Sequence, residues 1–326
     1  MRGLRVGQVF KPRHRSNRNN YAETRLTPEH RPSTLVTAEA FKLHLQLRQH
    51  FPGLPFMSAL HASSYESLKL SLVSGSILLI ELHRHEVSNA LNTVMTRELL
   101  TVWQSLYLNA APYQVVVMTG TGHKCFCAGA DLKERNGISA ALWLQQHTVL
   151  EQMMLAMHAC PIPVIAAVNG AAFGGGLELV LNCDFAYCCP EARFAFPEPK
   201  LGFIPGAMGT QWLPRAVGLA RAKELCMTCA PFSADEALAW GLVNKIVPQD
   251  KLLEVVLEVA RSIQSASPLA VRQVKQALDE TLGSDLVGGY KREIELYKRC
   301  IHAADRVEGI AAFNDKRLPK FDNPNQ

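Results

Sequence analysis

From Leu68 onward the chain alternates short, wholly apolar runs with longer stretches in which apolar residues recur every three or four positions. "LKLSLVSGSILLIEL" reads as two strands folded about Gly75. "YQVVVMTG" and "PIPVIAAVNG" are apolar throughout and only strand-length, as expected of strands buried on both faces. "TVMTRELLTVWQSL" and "ALWLQQHTVLEQMMLAMHAC" read as helices, the second with an apolar face. This order predicts an α/β domain whose sheets are covered by helices. After Asp184 short strands give way to helices; "SADEALAWG" opens with a capping box, Ser233 with Glu236, and stops at Gly241. Helical segments with charged faces then follow from about Asp250 to Lys316, with no internal repeat and no low-complexity tract.

The first part of the chain lacks such a pattern. "MRGLRVGQVFKPRHRSNRNN" holds six basic residues, no acid and little apolar periodicity, so residues 1–66 are expected to be a basic, flexible extension. The expected organisation is therefore this extension, an α/β core over 67–250 that carries the active site, and a helical region over 251–326.

Composition narrows the function. With 326 residues, 48% hydrophobic and 19% charged, the chain can bury a large core, which excludes disorder as its main theme. The net charge of +5 resides in the first 60 residues, which carry ten Lys/Arg against three acids, whereas the body has 24 against 26. A nucleic-acid-binding body would carry its own basic face, so nucleic acid is not the expected partner. No apolar run approaches the roughly 18 residues that cross a bilayer. Nine cysteines, an odd number and several within apolar stretches, fit reduced, mostly buried thiols in a reducing compartment. The arm is Arg-rich and acid-poor like a mitochondrial presequence, though Pro12 and the Asn-rich run oppose an amphipathic helix; the alternative is an upstream start, with Met57 the beginning. The expected compartment is the cytoplasm in a bacterium and the mitochondrial matrix in a eukaryote, and not the outside of the cell.

Three segments could carry chemistry. In "AAFGGGLELVLNCD", Gly174, Gly175 and Gly176 lead from a strand into a helix, where unpaired backbone N–H groups attract negative charge. The guest could be a phosphate or a developing oxyanion; no GKS/T ending or clean G-x-G-x-x-G marks a nucleotide loop. Glu178 follows among leucines, where burial raises a carboxyl toward the range of a general acid or base; complementing the helix dipole is the plain alternative. Glu198 stands between Pro197 and Pro199, which aim it, unless it is simply a turn residue in solvent. "HKCFCAGADLKE" puts small residues where backbone must approach a ligand closely. Cys125 and Cys127 in it read as core rather than nucleophiles, and Cys226 and Cys229 in "CMTC", with no second ligand pair downstream, as helix packing rather than metal ligands.

Together these segments resemble the enoyl-CoA hydratase/isomerase (crotonase) family: "IAAVNGAAFGGGLELVLNCDF", "FCAGADLKE", "PEPKLGFIPGAMGTQWLPRAVG", "SADEALAWGLVNKIVP" and "EGIAAFNDKRLPKF" look like its marks in the right order, over roughly Leu68 to Phe321. The resemblance implies a spiral of repeated ββα units with a helical C-terminal trimerisation region, assembled as a trimer or as a hexamer of two trimers. It implies an acyl-CoA substrate and no metal or redox cofactor. It matches the oxyanion-hole N–H groups to Ala128 and Gly175, and the hydratase pair of acids to Glu178 and Glu198. Glu178 would orient and deprotonate the attacking water; Glu198 would hold the same water and supply the proton to the α-carbon. CoA would lie against Ala130, Asp131, Leu132 and Lys133, with Gly206 at the pocket wall and Phe313 and Lys316 reaching in from a neighbouring subunit. Met208 stands where many hydratases have glycine. An isomerase using Glu198 alone is the alternative enzyme, and a non-catalytic RNA-binding or scaffold protein using the basic arm the alternative class.

Overall fold

The computed structural model describes residues 60–321. The extension expected over 1–66 falls mostly outside the described residues. Its last part does not behave as an extension. Leu60 is 5% exposed within the hydrophobic core, and His61 hydrogen-bonds the Tyr113 hydroxyl through both its backbone N–H and its ring. The body therefore begins no later than Leu60.

β1 (Leu68–Val73) and β2 (Ile77–Leu82) form the expected hairpin. Ser74 and Gly75 both adopt left-handed backbone (φ 50° and 80°), the pair that matches a tight turn to the twist of its strands. β2 continues in parallel with β3 (Val115–Gly120), β5 (Val164–Val168), β7 (Phe185–Cys188) and β10 (Lys245–Ile246), giving a six-stranded sheet in the order β1-β2-β3-β5-β7-β10. Every residue of β3 and β5 is buried, the reason these runs carry no polar alternation.

A second sheet stands beside the first: β4 (Cys125–Cys127), β6 (Ala171–Phe173), β8 (Arg193–Ala195) and β9 (Phe232–Ser233), in the order β4-β6-β8-β9. These strands have two or three residues each, too short to register as a pattern, and β6 was not anticipated between "PIPVIAAV" and the glycines. β4, β6 and β8 each follow a strand of the large sheet after a brief turn, so two strands precede the next helix in these units, whereas β9 follows a helix.

The helices are α1 (Thr93–Leu108), α2 (Ala140–His158), α3 (Gly175–Leu181), α4 (Gly209–Val217), α5 (Leu219–Thr228), α6 (Ala234–Ala239), α7 (Gln249–Gln264), α8 (Pro268–Asp279), α9 (Leu286–Ile301) and α10 (Ala304–Asn314). Their starts follow from side chains: Asn92 accepts from the Met95 N–H, Ser139 from the Leu142 N–H, and Ser233 with Glu236 closes a full capping box. α2 is apolar-faced only in its second half, where Leu150, Met153, Met154 and Met157 are buried. α7 buries Leu252, Val256 and Ala260 in the main core. Seven of the nine cysteines are buried.

Candidate active site

Three chain segments meet around two carboxylates. Glu178 sits in the first turn of α3, 3% exposed, and Glu198 begins a 3-10 turn, Glu198–Leu201, 6% exposed. The sequence placed both acids in apolar surroundings, and the fold brings them close enough for the charge of one to act on the other.

They are held differently. Oε1 of Glu178 accepts two backbone hydrogen bonds, from the N–H of Ala207 at 2.7 Å and of Gly209 at 2.8 Å. Between these donors Met208 has a left-handed backbone, φ 75°, and N–H groups on either side of such a residue converge on one anion. Oε2 of Glu198, in contrast, is buried without a hydrogen-bond partner among the described residues. Burial raises the Glu178 pKa, with the Gly209 and Ala207 N–H groups working against it. Burial likewise drives Glu198 up to about 7; its own backbone N–H opposes this and the Glu178 charge adds to it. Two N–H groups thus offset burial at the Glu178 carboxylate, whereas Glu198 is carried into the neutral range with one oxygen left unbonded among the described residues.

The glycines make room for this pairing. Gly174 has φ 50°, and a Cβ there would collide with Oε1 of Glu198. A Cβ on Gly176 would strike the Cys127 carbonyl, which fixes how closely α3 packs on β4. A Cβ on Gly209 would fall 2.8 Å from Glu178 Oε1 and 2.7 Å from the ring of Phe196. Gly209 and Phe196 were not among the sequence candidates; the one hint was the glycine-rich "IPGAMGTQ", which nothing local connects to Glu178.

The expected pair of oxyanion donors needs one correction. The Ala128 N–H is donated to the Ser88 carbonyl at 3.0 Å and is not free to meet a ligand. Two residues on, Ala130 lies in an isolated parallel bridge with Leu91, whose N–H donates to the Gly129 carbonyl at 2.8 Å and whose carbonyl accepts from Asp131 at 2.9 Å. This ladder leaves the Ala130 N–H unpaired. That nitrogen is 3.8 Å from where a Cβ on Gly175 would stand, and the Gly175 N–H, at the start of α3, has no intrahelical acceptor. The two unspent N–H groups that stand near one another in this fold are therefore those of Ala130 and Gly175. "CAGAD" offers two alanines of opposite backbone facing, and only the distant Leu91 decides between them.

The remaining candidates scatter. Leu132 and Lys133 are exposed beside the site. The Asp131 carboxylate is committed internally, to Arg84 at 3.1 Å and to the N–H groups of Lys133 and Glu134. Gly206 is exposed and lies against His147 of α2, whose ring a Cβ would meet at 2.8 Å. Phe313 is 84% exposed on α10 and Lys316 is exposed just beyond it; neither is among the groups touching the two carboxylates. Burial pushes the Cys125 and Cys127 thiols up to about 11 and about 12, which keeps them protonated and unsuited to attack.

A family model for enoyl-CoA hydratase/isomerase matches residues 73–324. The chain belongs to the enoyl-CoA hydratase/isomerase family. It is 39% identical over 249 residues to the human enoyl-CoA hydratase domain-containing protein 2, mitochondrial, covering 74% of this chain and 84% of that protein. It is 36% identical over 258 residues to a crotonyl-CoA hydratase of Syntrophomonas wolfei, covering 79% and 98%. A crystal structure of enoyl-CoA hydratase from Bacillus anthracis aligns with a TM-score of 0.77 at 39% identity, covering 78% of this chain and 99% of that one. The paired sheets and the helical C-terminal region are thus those of the crotonase fold, and the family acts on acyl-CoA substrates. No helix among the described residues is long and apolar enough to cross a membrane.

Proposed function

We propose that the protein adds water to a trans-2-enoyl-CoA of fatty, branched-chain or aromatic acyl type, giving the 3-hydroxyacyl-CoA. The observation that carries this reading is the buried pair of unlike carboxylates, Glu178 cradled by two N–H groups and Glu198 with an unpartnered oxygen and a pKa near 7. Hydration needs one group to take a proton from water as oxygen bonds to the β-carbon, and another to deliver a proton to the α-carbon; unlike acids side by side divide those roles. Glu178 takes the first and Glu198 the second, both acting on one water. The thioester oxygen gains charge as its enolate develops, and the Ala130 and Gly175 N–H groups stabilise that charge. CoA lies along Ala130–Lys133, and Phe313 and Lys316 come from the neighbouring subunit of a trimer, itself paired into a hexamer. No electron is transferred, so no cofactor beyond the CoA of the substrate takes part.

The test is hydration of crotonyl-CoA by Glu178→Gln and Glu198→Gln. Each substitution keeps the shape and removes the proton chemistry, so kcat is expected to fall by about 10²–10⁴-fold in both. A Glu178→Gln enzyme that hydrates at the wild-type rate would remove Glu178 from the mechanism.

A further inference from the structure

The unpaired Ala130 N–H is placed by its neighbours on both sides, and one side chain spans them. Nη1 of Arg84 donates to the Ala90 carbonyl at 2.6 Å and to Oδ2 of Asp131 at 3.1 Å. Ala90 precedes Leu91, which makes both ladder bonds around Ala130, and Asp131 follows Ala130. A single guanidinium nitrogen therefore ties together the two backbone segments whose pairing leaves the Ala130 N–H unspent. The pair is well shielded, with side-chain exposures of 19% for Arg84 and 12% for Asp131. Asn89 anchors the same segment from behind: its Oδ1 accepts from the Arg84 N–H, and its Nδ2 donates to the carbonyls of Thr121 and Cys125. Burial would raise the Asp131 carboxyl, but the hydrogen bond and charge of Arg84 and the Glu134 and Lys133 N–H groups hold it below the usual range. Asp131 thus stays ionised at neutral pH and the clamp stays closed.

We propose that Arg84 is a positioning residue for the oxyanion donor, its bridge between Ala90 and Asp131 fixing the direction of the Ala130 N–H toward the substrate carbonyl. Arg84 makes no contact with substrate in this role. The inference rests on the thioester reading above. Oxyanion stabilisation depends on donors fixed before charge develops, and a small misplacement weakens the transition state more than ground-state binding.

Arg84→Met removes both bonds of the bridging nitrogen. With the melting curve and assembly state of the wild type, it should lose about tenfold to a hundredfold in kcat with KM within about twofold. The second readout needs no turnover: the infrared shift of the thioester carbonyl when butyryl-CoA, labelled with carbon-13 at that carbon, binds. The carbonyl of the saturated thioester should shift to lower frequency in the wild type and distinctly less in Arg84→Met, with Arg84→Lys restoring most of the shift. Unaltered kcat and carbonyl shift in Arg84→Met would overturn the proposal, as would a loss expressed through KM alone, or a wild type that leaves the carbonyl unshifted. If Arg84→Met does not fold, Arg84→Gln, which keeps an amide donor for Ala90 but no charge for Asp131, is held to the same two criteria. A wild type that hydrates no enoyl-CoA would defeat the hydratase reading and still leave the carbonyl comparison to decide the role of Arg84.

Discussion

Glu198 is a group whose burial should cost the protein stability at the pH where it works. Its folded pKa of about 7 lies above the ordinary 4.5 of an unfolded glutamate. For a carboxyl raised by folding, stability is fully present below the unfolded value and is lost as pH rises through the folded one. The window is therefore about pH 4.5 to 7, with the full deficit above it. Glu198→Gln removes the titration, so the variant should melt at about the wild-type temperature near pH 4.5 and a few degrees higher at pH 8. Melting curves at the two pH values check this; a gap that does not widen with pH would mean that Glu198 is not desolvated as described. Glu178 and Glu198 stood out in the sequence because an acid among leucines and an acid between prolines are both unusual. Their different states did not, because those depend on Ala207 and Gly209, 29 and 31 residues from Glu178 in the chain.

At the scale of elements, the long apolar strands, α1 and the capping box of α6 were legible because each is written in adjacent residues. The three-residue β6 and the choice of Ala130 over Ala128 were not, since strand pairing with β4 and β8 and the bridge to Leu91 come from remote parts of the chain. The turn entering α4 lies between these cases. "IPGAMGTQ" announces a turn, yet its left-handed residue is Met208 and not one of its glycines. A side chain there costs about 1–2 kcal/mol relative to a right-handed position. Met208→Gly relieves that strain but gives the unfolded chain more freedom, so it should be neutral to stabilising by up to about 1 kcal/mol. Met208→Val, β-branched at positive φ, should destabilise by about 1–2 kcal/mol. Urea titration of the two variants measures this, and the opposite order would contradict the strain at Met208.

Over the whole molecule, the site is assembled by three loops, around residues 129–131, 174–178 and 198–209, each rooted in the small sheet or at the start of a helix. The large sheet and α7 form the rigid base beneath them. The C-terminal helices are distinct: Leu286 and Phe313 are 89% and 84% exposed, and Val287, Tyr290 and Tyr297 are also exposed, so α9 and α10 turn apolar side chains outward. Such a face fits the subunit contacts proposed above and would carry Phe313 toward a neighbouring site. What all these parts serve, in our reading, is the addition of one water to one double bond. The most direct measurement is mass spectrometry of the product formed from crotonyl-CoA in oxygen-18 water. Two-carboxylate hydration predicts a 3-hydroxybutyryl-CoA carrying one oxygen-18 at the β-carbon, its formation slowed about 10²–10⁴-fold in both glutamine variants. Recovery of crotonyl-CoA unchanged, or movement of its double bond with no uptake of oxygen, would contradict it.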